Sequence, residues 1–146
     1  MEQNPYEAPN ASLDPNQGGT RSLGWKVYFV FITALSVWGY LYQLADPHSG
    51  LAEYFSIVLW LTVTVGLFGH AFVKPIMTPP FWLIALVANI AFSIAYYWIS
   101  NLDLRAGMTD TEYYVTNVIA WCISLPAYFA LYFYSRPDDI AWRSVR

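Results

Sequence analysis

The chain has 146 residues, of which 57% are hydrophobic, 19% aromatic and only 12% charged, against about 25% charged residues in soluble domains. Folded in water, it would leave much of that apolar surface wet, which argues against a soluble globular domain. A formal charge of −3 and the lack of a basic patch leave no nucleic-acid partner to expect.

Residues 1–23, MEQNPYEAPNASLDPNQGGTRSL, carry three X-Pro steps and a "QGG" hinge, with little that is apolar beyond Tyr6. Such a segment buries too little surface to fold alone, so it reads as a disordered cytoplasmic tail. Tyr6, isolated between prolines, is a candidate docking residue for a protein groove, and the plainer reading is a passive soluble leader. Asn10-Ala11-Ser12 matches the glycosylation triplet by chance if this tail is cytoplasmic.

Four apolar stretches follow, at residues 25–44, 54–73, 80–99 and 113–134, each free of Asp, Glu, Lys and Arg apart from Lys26 at one end. A helix rises about 1.5 Å per residue, so each stretch spans a hydrocarbon core of roughly 30 Å. The predicted fold is all-α, a four-transmembrane-helix bundle over residues 24–136 with a short C-terminal tail at 137–146. The first stretch is too long for a signal peptide and lacks a basic n-region, so it is expected to remain in the mature protein.

The basic residues set an orientation. Arg21, Lys26, Lys74, Arg136, Arg143 and Arg146 flank one side and Arg105 alone the other, which the positive-inside rule converts into cytoplasmic N- and C-termini. The opposite loops are acidic, with Asp46, Glu53, Asp103, Asp110 and Glu112; topology alone explains them, and a cation or basic partner is the alternative. Trp25, Tyr28, Phe81 and Trp82 at one end, and Tyr40, Tyr42, Tyr54, Tyr96, Tyr97, Trp98, Tyr113 and Tyr114 at the other, read as interfacial belts.

The pattern Trp, apolar helix, acidic loop, "EYF" or "EYY", apolar helix, "KP" or "RP" occurs twice, from Trp25 and again from Trp82, offset by 57 to 62 residues. Two tandem helical hairpins in parallel repeat produce this pattern, and so do membrane constraints common to both halves. Glu53 and Glu112 fall in the first turns of the second and fourth helices, where carboxylates meet free N–H groups, and Thr109 stands at capping-box spacing from Glu112. Lys74 and Arg136 suit the opposite ends of those helices, each followed by a helix-stopping proline.

Polar groups within the apolar stretches are few. Asn89, ten residues into the third helix, is expected to bond across to a neighbouring helix, with ligand contact as the other reading. Gly66 and Gly69 on the second helix, and Ala88, Ala91 and Ala95 on the third, read as close-packing surfaces. Pro126 should kink the fourth helix, which also carries Asn117, Cys122 and Ser124. His70, four residues before Lys74, reads as a solvated interfacial histidine, or else as a pH-sensing or ligand-binding one.

Catalytic constellations are missing from the sequence. His48, His70 and Cys122 are predicted at different depths and cannot gather around a metal, and one cysteine makes no intrachain disulfide. No acid or histidine lies deep in a helix to activate a nucleophile or couple transport to an ion. Neither an enzymatic activity nor a cofactor is therefore expected.

The "NPYEAP" leader, the run "EYFSIVLWLTVTVGLFGHAFVKPI" at residues 53–76 and "FW" at Phe81 and Trp82 resemble small bacterial inner-membrane proteins of four predicted helices. The likeness covers residues 4–9 and 53–82 and implies a location, the bacterial inner membrane, with no activity attached.

Two functional expectations result. In the favoured one the bundle is a non-catalytic accessory protein, embedded in membrane lipids and packed against a membrane-protein partner or itself. In the other, an oligomer binds or conducts a lipid or small apolar solute through aromatic-lined space near Trp38, Trp60, Trp98 and Trp121. A pocket uniting Asn89, Trp60 and Trp121 favours the second; a tightly packed interior with small residues facing lipid favours the first.

Overall fold

The computed structural model describes residues 20–45, 50–104 and 108–145, and is all-helical over them. Helices α1 (Leu23–Ala45), α2 (Leu51–Phe72), α3 (Pro79–Leu104) and α4 (Asp110–Tyr134) run up, down, up and down, followed by a 3-10 helix at Ile140–Val145. All four α-helices are long and apolar enough to cross a membrane, as expected of a multi-pass membrane protein. Each begins within three residues of its predicted start, and α3 continues to Leu104.

Local signals fix the helix ends. At the start of α4 the Glu112 amide donates to Thr109 Oγ1 (3.3 Å) while the Thr109 amide donates to Glu112 Oε2 (2.9 Å), a complete capping box. At the start of α2 only half of that device exists, because Gly50 has no side chain; its amide donates to Glu53 Oε2 at 2.9 Å. The other end of α2 closes through Val73 in the left-handed region (φ 55°), with the Lys74 amide donating to Gly69 O at 2.9 Å.

Packing is lopsided along the bundle. We call the end bearing the start of α1, the end of α4 and the α2–α3 connection the terminal end, and the other the hairpin end. Helix α2 packs on all three others, and α1 leans chiefly on α2. The buried core lies in the terminal half: Val63 and Leu67 of α2, Trp82 and Leu86 of α3, Leu131 and Tyr134 of α4. Gly66 and Gly69 make this possible. A Cβ on Gly66 would stand 2.7 Å from the Trp82 ring, and one on Gly69 would stand 2.6 Å from Tyr134 Cζ. The two glycines are notches for aromatic rings. Trp82, expected in the interfacial belt, is 1% exposed, and its Nε1 donates to Ile76 O at 2.6 Å.

The segment after α4 folds back onto this core. Trp142 is buried against Tyr134, ring centroids 4.9 Å apart, and its Nε1 donates to Tyr134 O at 2.7 Å. Arg21, two residues before α1, forms an ion pair with Asp139, whose carboxylate also accepts from the Ala141 amide at 2.9 Å. The Tyr134 hydroxyl donates to Lys74 O and accepts from the Ile76 amide at 2.8 Å. The start of α1, the segment after α4 and the α2–α3 connection are thereby laced together.

Candidate functional site

The hairpin half is open where the terminal half is closed. A cavity of about 500 Å3 lies between the four helices, from Ile32, Asn89 and Tyr128 half-way along the bundle to Gln43, Tyr96 and Tyr113 near its hairpin end. Eleven residues separate Ile32 from Gln43 on α1, so the cavity is about 16 Å long at helical rise. Its size falls within the usual range for small-molecule sites, roughly 300–1,000 Å3. In this half each helix turns a small polar or amide side chain inward: Ser36 on α1, Ser56 on α2, Ser93 on α3, Asn117 on α4.

Asn89 forms part of the deep end. It is 3% exposed, and its Nδ2 donates to Ala85 O (2.9 Å) one turn earlier in α3. The expected bond to a neighbouring helix is not made. An i−4 carbonyl was within reach of the side chain, and that leaves its Oδ1 and second amide hydrogen at the cavity. One turn further on, Ser93 Oγ and Tyr128 OH share a hydrogen bond of 3.1 Å. Trp60 stacks on Tyr128, ring centroids 6.1 Å apart and planes 27° apart, and Trp121 supplies another wall. Among the described residues no Asp, Glu, Lys, Arg or His lines it.

Other predicted residues fall elsewhere. Gly66 and Gly69 serve the packed half. Trp38 does not reach the cavity and is 76% exposed on the outer surface of α1. Ala88, Ala91 and Ala95 face outward rather than into the bundle. Glu53 caps α2 and accepts from Tyr96 OH at 3.4 Å, just beyond the cavity lining, whereas Glu112 only caps α4. Tyr6 and His48 lie outside the described residues, as does the side chain of Trp98.

His70 differs from its reading as a solvated interfacial group. It is 1% exposed, edge-on to Trp25 (4.9 Å) and Tyr134 (6.4 Å), and neither ring nitrogen has a hydrogen-bond partner. The Trp25 ring, expected in the belt, covers it. A smaller hollow of about 190 Å3 nearby is lined by Arg21, Arg136, Asp138 and Asp139, but its arginines are already paired, Arg21 with Asp139 and Arg136 with Asp138 (3.2 Å). Among the described residues no three His, Cys, Asp or Glu side chains gather closely enough to hold a metal ion.

Sequence reasoning passed over Ser93, Tyr128 and Gly39. A signal existed for Ser93, which follows Asn89 by four residues and so shares its helix face. Gly39 was invisible because its importance is empty space: a Cβ there meets nothing within 4 Å. Compared with protein-family models, curated proteins and solved structures, the chain finds no match.

Proposed function

We propose that this protein binds a lipid or small apolar solute in the cavity between its helices, within a bacterial inner membrane and with both termini cytoplasmic. The observation that carries the reading is the meeting of Asn89, Trp60 and Trp121 around one cavity of about 500 Å3. Aromatic walls with a few convergent polar groups are the usual make-up of such sites. The bias of Lys and Arg towards the terminal end supports the orientation, and the likeness of the leader and middle of the chain to small bacterial inner-membrane proteins supports the location. On this reading the protein holds or passes on a molecule.

Gly39→Leu tests this, because its side chain grows into the cavity from a position where a Cβ meets nothing within 4 Å. The full chain and this variant are purified in mild detergent, their thermal unfolding compared, and retained small molecules extracted for mass spectrometry. A molecule held stoichiometrically by the natural chain and lost from an equally stable variant supports binding. Equal retention by both would overturn it.

The outward faces of Ala88 and Ala91 favour a second role, association with a membrane-protein partner or another copy. An affinity pull-down of the full chain beside one lacking residues 2–20 tests that role and any part played by Tyr6. A stoichiometric partner supports it, and recovery of the protein alone from both opposes it.

A further inference from the structure

Resting on the cavity reading above, we propose that the ligand is an uncharged amphipath with a hydroxyl-type head, and that it enters head first, seating that head against Asn89 and the Ser93–Tyr128 pair half-way through the membrane.

The cavity walls rule on charge. Among the described residues the lining holds no Asp, Glu, Lys, Arg or His, so an ionised head would lie at mid-membrane depth without a counter-ion. A carboxylate, phosphate or ammonium head is disfavoured there.

The deep end also has hydrogen-bonding capacity left over, of both kinds. Asn89 uses one amide hydrogen on Ala85 O at 2.9 Å, which leaves one N–H donor and the Oδ1 acceptor. The single bond between Ser93 Oγ and Tyr128 OH, 3.1 Å long, uses one of two hydroxyl hydrogens and leaves the other. A hydroxyl both donates and accepts, so it answers Asn89 Oδ1 and one of the spare donors together. A methyl terminus answers neither.

Orientation follows from the difference between the two ends. Polar groups at the hairpin end, such as Gln43 and Ser56, lie within two residues of the ends of the apolar stretches, close to headgroups and water that satisfy them whatever the ligand does. Those at the deep end have no such recourse once an apolar body fills the space among Trp60, Phe92 and Trp121. A tail-first ligand strands them. A head-first ligand does not.

The test uses the full chain in phosphatidylcholine nanodiscs at pH 8, with three 18-carbon probes brominated at mid-chain: an alcohol, a carboxylic acid and a hydrocarbon. Bromine quenches the fluorescence of Trp60 and Trp121 on contact, and Gly39→Leu gives the quenching due to free probe in the bilayer. The alcohol is expected to quench saturably above that background and the ionised acid to stay at it. Asn89→Leu and, independently, Ser93→Ala should each weaken the alcohol by about tenfold, with unchanged thermal unfolding confirming that the variants fold. Equal quenching by alcohol and hydrocarbon, or an alcohol response untouched in both variants, overturns the head-first inference while leaving the cavity reading in place. If no probe exceeds the Gly39→Leu background, the cavity reading itself fails.

Discussion

Gly39, Gly66 and Gly69 all lie within helices, where glycine costs about 0.5–1 kcal/mol relative to alanine, yet their surroundings predict opposite responses to a methyl group. At Gly39 a Cβ meets open space, so Gly39→Ala should raise the thermal midpoint in detergent. At Gly66 and Gly69 it collides with rings whose own positions are fixed by hydrogen bonds to the α2–α3 connection. Gly66→Ala and Gly69→Ala should each cost about 1–3 kcal/mol. His70 gives a second contrast. Its buried nitrogens contribute nothing that a carbon could not, so His70→Phe should match or exceed the natural stability, whereas His70→Ala should lose about 2 kcal/mol or more to the void left beside Trp25. At this scale the sequence was readable where the interaction is local: Thr109 with Glu112 needs only a spacing of three. It was unreadable at Trp82, whose position beside Phe81 looks interfacial until the notch at Gly66, sixteen residues away, is known.

The elements differ in how firmly they are held. Ile32 is the one buried residue of α1, and that helix meets α4 through the Tyr28 hydroxyl, which donates to Ile123 O at 2.6 Å. Ile123 lies three residues before Pro126, in the turn where the proline lacks an N–H to offer and the backbone ladder is interrupted. Tyr28 thus pins α1 to the weakest turn of α4, at the floor of the cavity. Tyr28→Phe should speed amide exchange in the hairpin half of α1 about fivefold, the equivalent of a hydrogen bond worth about 1 kcal/mol, without altering α2. Uniform exchange along α1 in both forms would contradict this. Helix number and extent were legible because lipid imposes a length and a composition on every span. Which helix would be loosely held was not, since all four are apolar around most of their circumference and periodicity cannot single out a buried face.

Across the whole molecule, one half is knitted and the other parted. The knitted half holds Trp82, Tyr134 and Trp142 together with the Arg21–Asp139 pair, joining segments more than a hundred residues apart in sequence. The parted half holds the cavity. Charge patterning predicts the orientation of the whole in the membrane: in a Cys122→Ser background, Ser49→Cys should react with an impermeant thiol reagent applied to intact cells, and Ser12→Cys only after the cells are opened. The reverse pattern would invert the bundle. Neither half is marked by overall composition; the difference lies in which side chains find rings and glycines opposite them and which find serines and amides.

The cavity stops at Asn89 and Tyr128, and below it the Trp82 and Tyr134 rings close the bundle. Its deep end therefore faces the packed half of the bundle. If it holds a lipid as proposed, that lipid comes from the leaflet at the hairpin end, and occupancy follows the composition of that leaflet. Moving the same molecules from one leaflet to the other, with no change in their total amount, should then fill or empty it.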